Sequence, residues 1–206
     1  MARIILTGFR AFPGVADNPT QTLIEHFRAD PSALPGDTAL HLLDVDYRSI
    51  GAAIDIILTE PPAALILTGY SNLATDIRLE SRATGLCAPD KPDVCGYVPQ
   101  APLSAPETLH TRLDLTRLQT GLEARAIPAS ISRDAGQYLC NYSYRHALSV
   151  AAMGGMSTQV VFVHFPAVEG TALAQSAAAA MPLGQMAAAL SHISAELADI
   201  SAELAG

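Results

Sequence analysis

Short aliphatic runs along the chain stop abruptly at a glycine or a polar residue. Arg3 to Leu6 ends at Thr7-Gly8, and Ala63 to Leu67 ends at Thr68-Gly69. Unbroken apolar runs of this length read as strands buried on both faces, as in a parallel sheet. Ala126 to Ile131 and Gln159 to Val163 repeat the signal. Between these runs the apolar positions shift to helical spacing. Leu23, Ile24 and Phe27 follow a capping start at Asn18-Pro19-Thr20, Ile50 to Leu58 runs until Pro61-Pro62, and Gln137 to Val150 reads as a further helix. Alternation of this kind predicts a three-layer α/β/α fold around a central, mostly parallel twisted sheet, with residues 1–206 as a single domain.

Two segments depart from the alternation. Ala88 to Pro106 carries five prolines together with Asp90, Asp93 and Gly96, which predicts an irregular excursion covering a site. At the C-terminus, Ile193-Ser-Ala-Glu-Leu197-Ala-Asp is followed by Ile200-Ser-Ala-Glu-Leu204-Ala-Gly, extending an apolar series from Met186 and Leu190. A final helix packed on its own sheet accounts for this pattern, and a subunit contact is the alternative.

Composition narrows the function. Half of the 206 residues are hydrophobic, 16% are charged, and twelve Lys plus Arg oppose twenty Asp plus Glu for a formal charge of -8. Such a chain can bury a substantial core, and its field repels a phosphate backbone, so nucleic acid is not an expected partner. The N-terminal apolar run is too short for a signal sequence, and nothing approaches the roughly 18 apolar residues of a membrane helix. A cytoplasmic protein without a membrane partner is expected. Three cysteines, Cys87, Cys95 and Cys140, leave at least one thiol free. The spacing of Cys87 and Cys95 does not suit a zinc site. Neither Gly8 nor Gly154-Gly155 opens a phosphate-binding loop.

Cys140 follows a strand end and a small-residue turn, Ser132-Arg133-Asp134-Ala135-Gly136, at the start of a predicted helix. Unpaired backbone N–H groups and the helix dipole favour a thiolate there. Taken alone, a cysteine in this place is also readable as a small buried filler. His164 closes the strand Val160-Val161-Phe162-Val163, at a carboxyl-end edge of the kind that carries sites in α/β sheets. An imidazole there can take the thiol proton and return it to a leaving amine. His26, His41, His110, His146 and His192 lack that setting and are expected in surface or capping roles. Glu80 is the carboxylate placed to orient the imidazole, or else it pairs with Arg78 or Arg82 on the surface.

With these residues the chain resembles the pyrrolidone carboxyl peptidases (pyroglutamyl peptidase type I), cysteine omega-peptidases that remove an N-terminal pyroglutamyl residue. The likeness runs through Thr7-Gly8-Phe9-Arg10-Ala11-Phe12, Asn18-Pro19-Thr20, Gly69, Asp76-Ile77, Glu80, Pro92-Asp93, Gly96, Ile127-Pro128-Ala129, Ser132, Ala135-Gly136, Tyr138, Cys140-Asn141, His164 and Pro166. The resemblance implies a catalytic triad of Cys140, His164 and Glu80, with Phe9 and Phe12 clamping the lactam ring. Core packing is the alternative for these two phenylalanines. It also implies backbone contacts to the ring amide near Tyr70 and Leu139, and a homo-oligomer, often a tetramer. The substrate the resemblance implies is an N-terminally blocked peptide, cleaved without a metal or other cofactor.

Departures from the family pattern gather around the pocket. Tyr70 stands where relatives have Gln, Ala74 and Asp90 where they have Arg, and Gly85 where they have Asn, with Lys91 beside Asp90. In the first loop Arg10, Ala11 and Pro13 replace the usual Glu, Pro and Gly. Two alternatives follow: a divergent member hydrolysing another blocked N-terminus or small amide, and a non-catalytic ligand-binding homologue.

Overall fold

The computed structural model describes residues 3–99 and 108–205. In chain order its elements are β1 (Ile4–Phe9), α1 (Pro19–Ala29), β2 (Thr38–Leu43), α2 (Tyr47–Leu58), β3 (Ala64–Tyr70), β4 (Ile77–Glu80), β5 (Arg82–Ala83), β6 (Leu109–His110), α3 (Leu115–Glu123), β7 (Ala129–Ser132), α4 (Leu139–Met153), β8 (Gln159–Phe165), β9 (Ala167–Val168), β10 (Ala180–Met181) and α5 (Leu183–Ala205). Six strands form the central sheet in the order β2-β1-β3-β8-β4-β7. The first four run parallel to their neighbours, β4 is antiparallel to β8, and β7 is parallel to β4. The sheet is therefore mixed: four parallel strands run in from the β2 edge, and the pair β4 and β7, of opposite direction, completes the other side.

Both faces of that sheet are buried, which is why its strands read as continuous apolar runs. On one face Ile4, Leu6, Ile66, Val161 and Val163 pack against Leu23 and Phe27 of α1, Leu118 and Leu122 of α3, and Leu190, Ile193 and Leu197 of α5. On the other, Ile5, Leu65, Leu67, Val160 and Phe162 meet Ile50, Ile54 and Ile57 of α2 and Tyr144, Ala147 and Leu148 of α4. Three helices against two complete the α/β/α sandwich. Gly8 lets α1 lie close to β1, since a Cβ there would sit 2.5 Å from the carbonyl oxygen of Thr20. Asn18 caps that helix by accepting the N–H of Thr20 at 3.1 Å.

The sequence pattern missed β2, β4 and α3. The Ala126–Ile131 signal resolves into a turn, with Ala126 at φ 55, followed by β7 at Ala129–Ser132. The helix expected from Gln137 starts at Leu139, because Asp134, Gly136 and Gln137 form the turn before it. His192, expected in a surface or capping role, is buried in α5 and lies so close to Gly121 of α3 that a Cβ there would meet its ring at 2.1 Å. Residues 84–99 form an irregular loop, and the rest of the proline-rich excursion, 100–106, lies outside the described residues. Among the described residues no helix is long and apolar enough to cross a membrane.

Candidate active site

The sheet brings the three chemical groups together on the face covered by α2 and α4. In the register of β3 and β8, Gly69 lies beside His164. In the antiparallel pair of β8 and β4, Arg78 lies opposite His164 and Glu80 opposite Phe162. Residues opposite each other share a face, and so do residues two apart on one strand. Glu80 thus stands diagonally from His164, and its Oε1 lies 2.8 Å from His164 Nδ1. Both side chains are buried. Glu80 Oε2 has no hydrogen-bond partner among the described residues, so the carboxylate spends its bonding on the imidazole. The sequence-level alternative of a surface pair with Arg78 or Arg82 is not realised: Arg78 donates to the Leu73 carbonyl and Arg82 to the Arg133 carbonyl.

Cys140 is the imidazole's other neighbour: the two line one cleft, and the sulfur lies against Gly69, the residue beside His164 in the sheet. Burial by itself pushes the His164 pKa down, but the hydrogen bonds to Cys140 and Glu80, followed by their charges, outweigh it and hold the pKa at about 9 against an ordinary 6.5. Cys140 is the second residue of α4, whose first turn has no side-chain cap. Backbone N–H groups of that turn lack intrahelical acceptors, and the helix dipole there favours a negative charge on the sulfur. The absence of a side chain at Gly69 gives the sulfur its place. A Cβ there would lie 2.9 Å from Cys140 Sγ and 2.8 Å from the Phe162 ring.

The start of α4 is held by a clamp that sequence reasoning saw only in part. Asn141, buried, accepts the Thr84 N–H at 2.8 Å and donates to the carbonyls of Thr84 and Leu86 at 2.9 and 3.0 Å. Tyr144, one turn on, donates to the Glu80 carbonyl at 2.8 Å, and its ring packs near Phe162. No local pattern marks Tyr144, because its partner is remote in the chain. The 84–99 loop is tied in further by Tyr138, which donates to the Pro92 carbonyl at 2.9 Å.

Next to the sulfur is a small apolar pocket of about 60 Å³ lined by Phe9, Phe12, Asn18, Val45, Tyr70, Tyr138, Leu139 and Cys140. All four binding residues singled out in the sequence, Phe9, Phe12, Tyr70 and Leu139, meet here. Phe9 is fixed by its N–H bond to Thr20 Oγ1 at 2.9 Å. Phe12 sits in a tight turn closed by paired backbone bonds with Val15, with Gly14 at φ 85. The pocket lies where the chain leaves β1 toward α1 and leaves β3 toward β4, a divergence of loops that opens a crevice at the strand ends. A larger cleft of about 760 Å³ adjoins it, and Cys140, His164, Tyr70, Arg78, Asp90 and Lys91 are among its lining residues. Of the departures from the family pattern, Tyr70 and Asp90 therefore face the site, whereas Ala74 is fully buried.

Comparison with known proteins agrees with this geometry. The family model described as pyroglutamyl peptidase matches residues 2–199. The pyrrolidone-carboxylate peptidase of Deinococcus radiodurans is 32% identical over 182 residues, covering 84% of this chain and 82% of that protein. The one from Thermococcus onnurineus is 30% identical over 176 residues, covering 83% and 86%. The crystal structure of pyrrolidone carboxyl peptidase from Thermus thermophilus superposes with a TM-score of 0.80 at 28% identity, over 92% of this chain and 97% of that one. With a family match that spans nearly the whole sequence and a thiol, an imidazole and a carboxylate gathered on one face of the sheet, the chain belongs to the pyroglutamyl peptidase family of cysteine peptidases.

Proposed function

We propose that the protein removes the N-terminal pyroglutamyl residue from peptides, with Cys140 as nucleophile, His164 as base and acid, and Glu80 as the group that orients the imidazole. The observation that carries this reading is one buried ring bonded to Glu80 at 2.8 Å and sharing a cleft with Cys140, at the uncapped start of α4. The lactam ring enters the Phe9–Phe12 pocket, where flat apolar walls recognise it. The Cys140 thiolate attacks the carbonyl carbon of the pyroglutamyl residue, forming a C–S bond, and first-turn N–H groups of α4 stabilise the oxyanion. As the C–N bond breaks, the His164 imidazolium gives its proton to the leaving amine. Water, deprotonated by His164, then attacks the thioester; the C–S bond breaks and pyroglutamate leaves.

Hydrolysis of a pyroglutamyl-aminocoumarin amide tests the assignment. Cys140→Ala and His164→Ala are each expected to lower kcat/KM by at least about three orders of magnitude. A Cys140→Ala protein that keeps its rate overturns the nucleophile. The same reading carries a cytoplasmic catalytic domain spanning residues 1–206 and a homo-oligomer, a tetramer by family resemblance, which sedimentation velocity measures directly.

A further inference from the structure

Arg78 has no part in the chemistry above, yet it lies beside it. It stands directly opposite His164 in the antiparallel pair of β4 and β8, on the same face, and it lines the same cleft as Cys140 and His164. Opposed side chains in such a pair have Cβ atoms about 4.5–5.5 Å apart. Its guanidinium is anchored at the cleft wall by a bond to the Leu73 carbonyl, and it is half-buried. Arg3, Arg10 and Arg117 each pair with a carboxylate. Among the described residues no carboxylate pairs with Arg78. A fixed guanidinium presents its remaining donors as a planar fork suited to a carboxylate.

The reaction places one there. His164 delivers its proton to the nitrogen of the residue that follows the scissile bond, so that nitrogen must lie at the imidazole. In a pyroglutamyl dipeptide the free α-carboxylate is two bonds from this nitrogen, and an acidic side chain at the same residue is only slightly farther. We propose that Arg78 is a specificity residue that binds a carboxylate on the first residue of the leaving group, so that the preferred substrates are pyroglutamyl dipeptides or peptides with an acidic residue next to pyroglutamate. Lys91 and two acids, Asp90 and Asp134, also line the cleft, so the preference comes from the position of Arg78 opposite His164 and not from net charge. The inference rests on the proposed peptidase function.

The test compares kcat/KM for pyroglutamyl-alanine with that for pyroglutamyl-alanine amide, and for pyroglutamyl-aspartate amide with that for pyroglutamyl-asparagine amide. In the wild type at least one of the two ratios is expected to be about tenfold or more, carried by KM. A preference in the first pair alone assigns the terminal carboxylate, and in the second pair alone the side-chain carboxylate. In Arg78→Gln the preferred ratio falls toward one, and in Arg78→Lys part of it returns. Should Arg78→Gln fail to fold, the wild-type ratio at rising salt decides: screening lowers it if an ion pair sets it. Ratios near one in the wild type, ratios insensitive to salt, or ratios unchanged in a folded Arg78→Gln overturn the assignment. Cleavage of none of the four peptides overturns the peptidase reading itself, a result distinct from cleavage without preference.

Discussion

At the scale of single residues, the proposed site depends on two groups that line neither its pocket nor its cleft. Gly69 leaves the volume in which the sulfur sits, and a methyl group there would lie 2.9 Å from Cys140 Sγ and 2.8 Å from the Phe162 ring. Gly69→Ala is therefore expected to displace the nucleophile and lower kcat about a hundredfold, with the loss read in burst kinetics and the number of reactive thiols unchanged. Glu80 acts on His164, whose pKa burial would lower but whose hydrogen bonds and charged neighbours hold it at about 9. A raised pKa means that the charged ring's contribution to stability is complete below the ordinary 6.5 and is lost as pH rises through about 9. Acylation needs the imidazolium as acid, so the alkaline limb of the kcat/KM profile is expected near pH 9. Glu80→Gln removes a charge that raises this pKa, so the limb moves to lower pH and the rate falls at least about tenfold. An unmoved limb in that variant would mean that the carboxylate does not tune the ring.

Elements make these placements possible, and here the sequence was least complete. The signals at Leu23 to Phe27, at Ile50 to Leu58 and in the C-terminal repeat come from strong helical periodicity, and each produced a helix: α1, α2 and α5. The strand β2, whose residues Thr38–Leu43 are mostly half-buried, lies at a sheet edge and lacks the apolar run that marks β1 and β3. The four-residue β4 alternates buried apolar Ile77 and Leu79 with Arg78 and Glu80, so its charges hid it. That same alternation is the mark of a strand with a core face and a chemical face. Cys140, His164 and Glu80 were legible because each sits at or near the end of an element. Tyr144 was not, because its bond to the Glu80 carbonyl joins residues 64 positions apart. Asn141 couples α4 to the loop 84–86 through three hydrogen bonds. Asn141→Ala leaves its part-buried backbone partners at Thr84 and Leu86 unpaired, at an expected cost of about 1–2 kcal/mol, visible as a Tm lower by about 3–6 °C.

For the whole molecule, the sheet divides labour between its two faces. The cluster under α1, α3 and α5 holds the fold, while the cluster under α2 and α4 also carries the site. Leu190→Ala, on the first face, is expected to cost about 2–5 kcal/mol of stability while leaving kcat per folded molecule unchanged. Phe162→Leu, on the second, should lower both, since its ring lies 4.7 Å from that of His164. Melting curves read beside active-site titration separate the two outcomes. The long α5 buries Leu190, Ile193 and Leu197 as its heptad pattern requires, yet Leu204 near its end is exposed. The sheet's reversed strand has a consequence of its own. Because β4 runs against β8, one two-residue step along a single face leads from the acid hidden beneath the catalytic ring to the cation at the mouth. Selection can then retune what the enzyme prefers to cut by changing the outer position alone, while the inner one keeps the proton chemistry in working order.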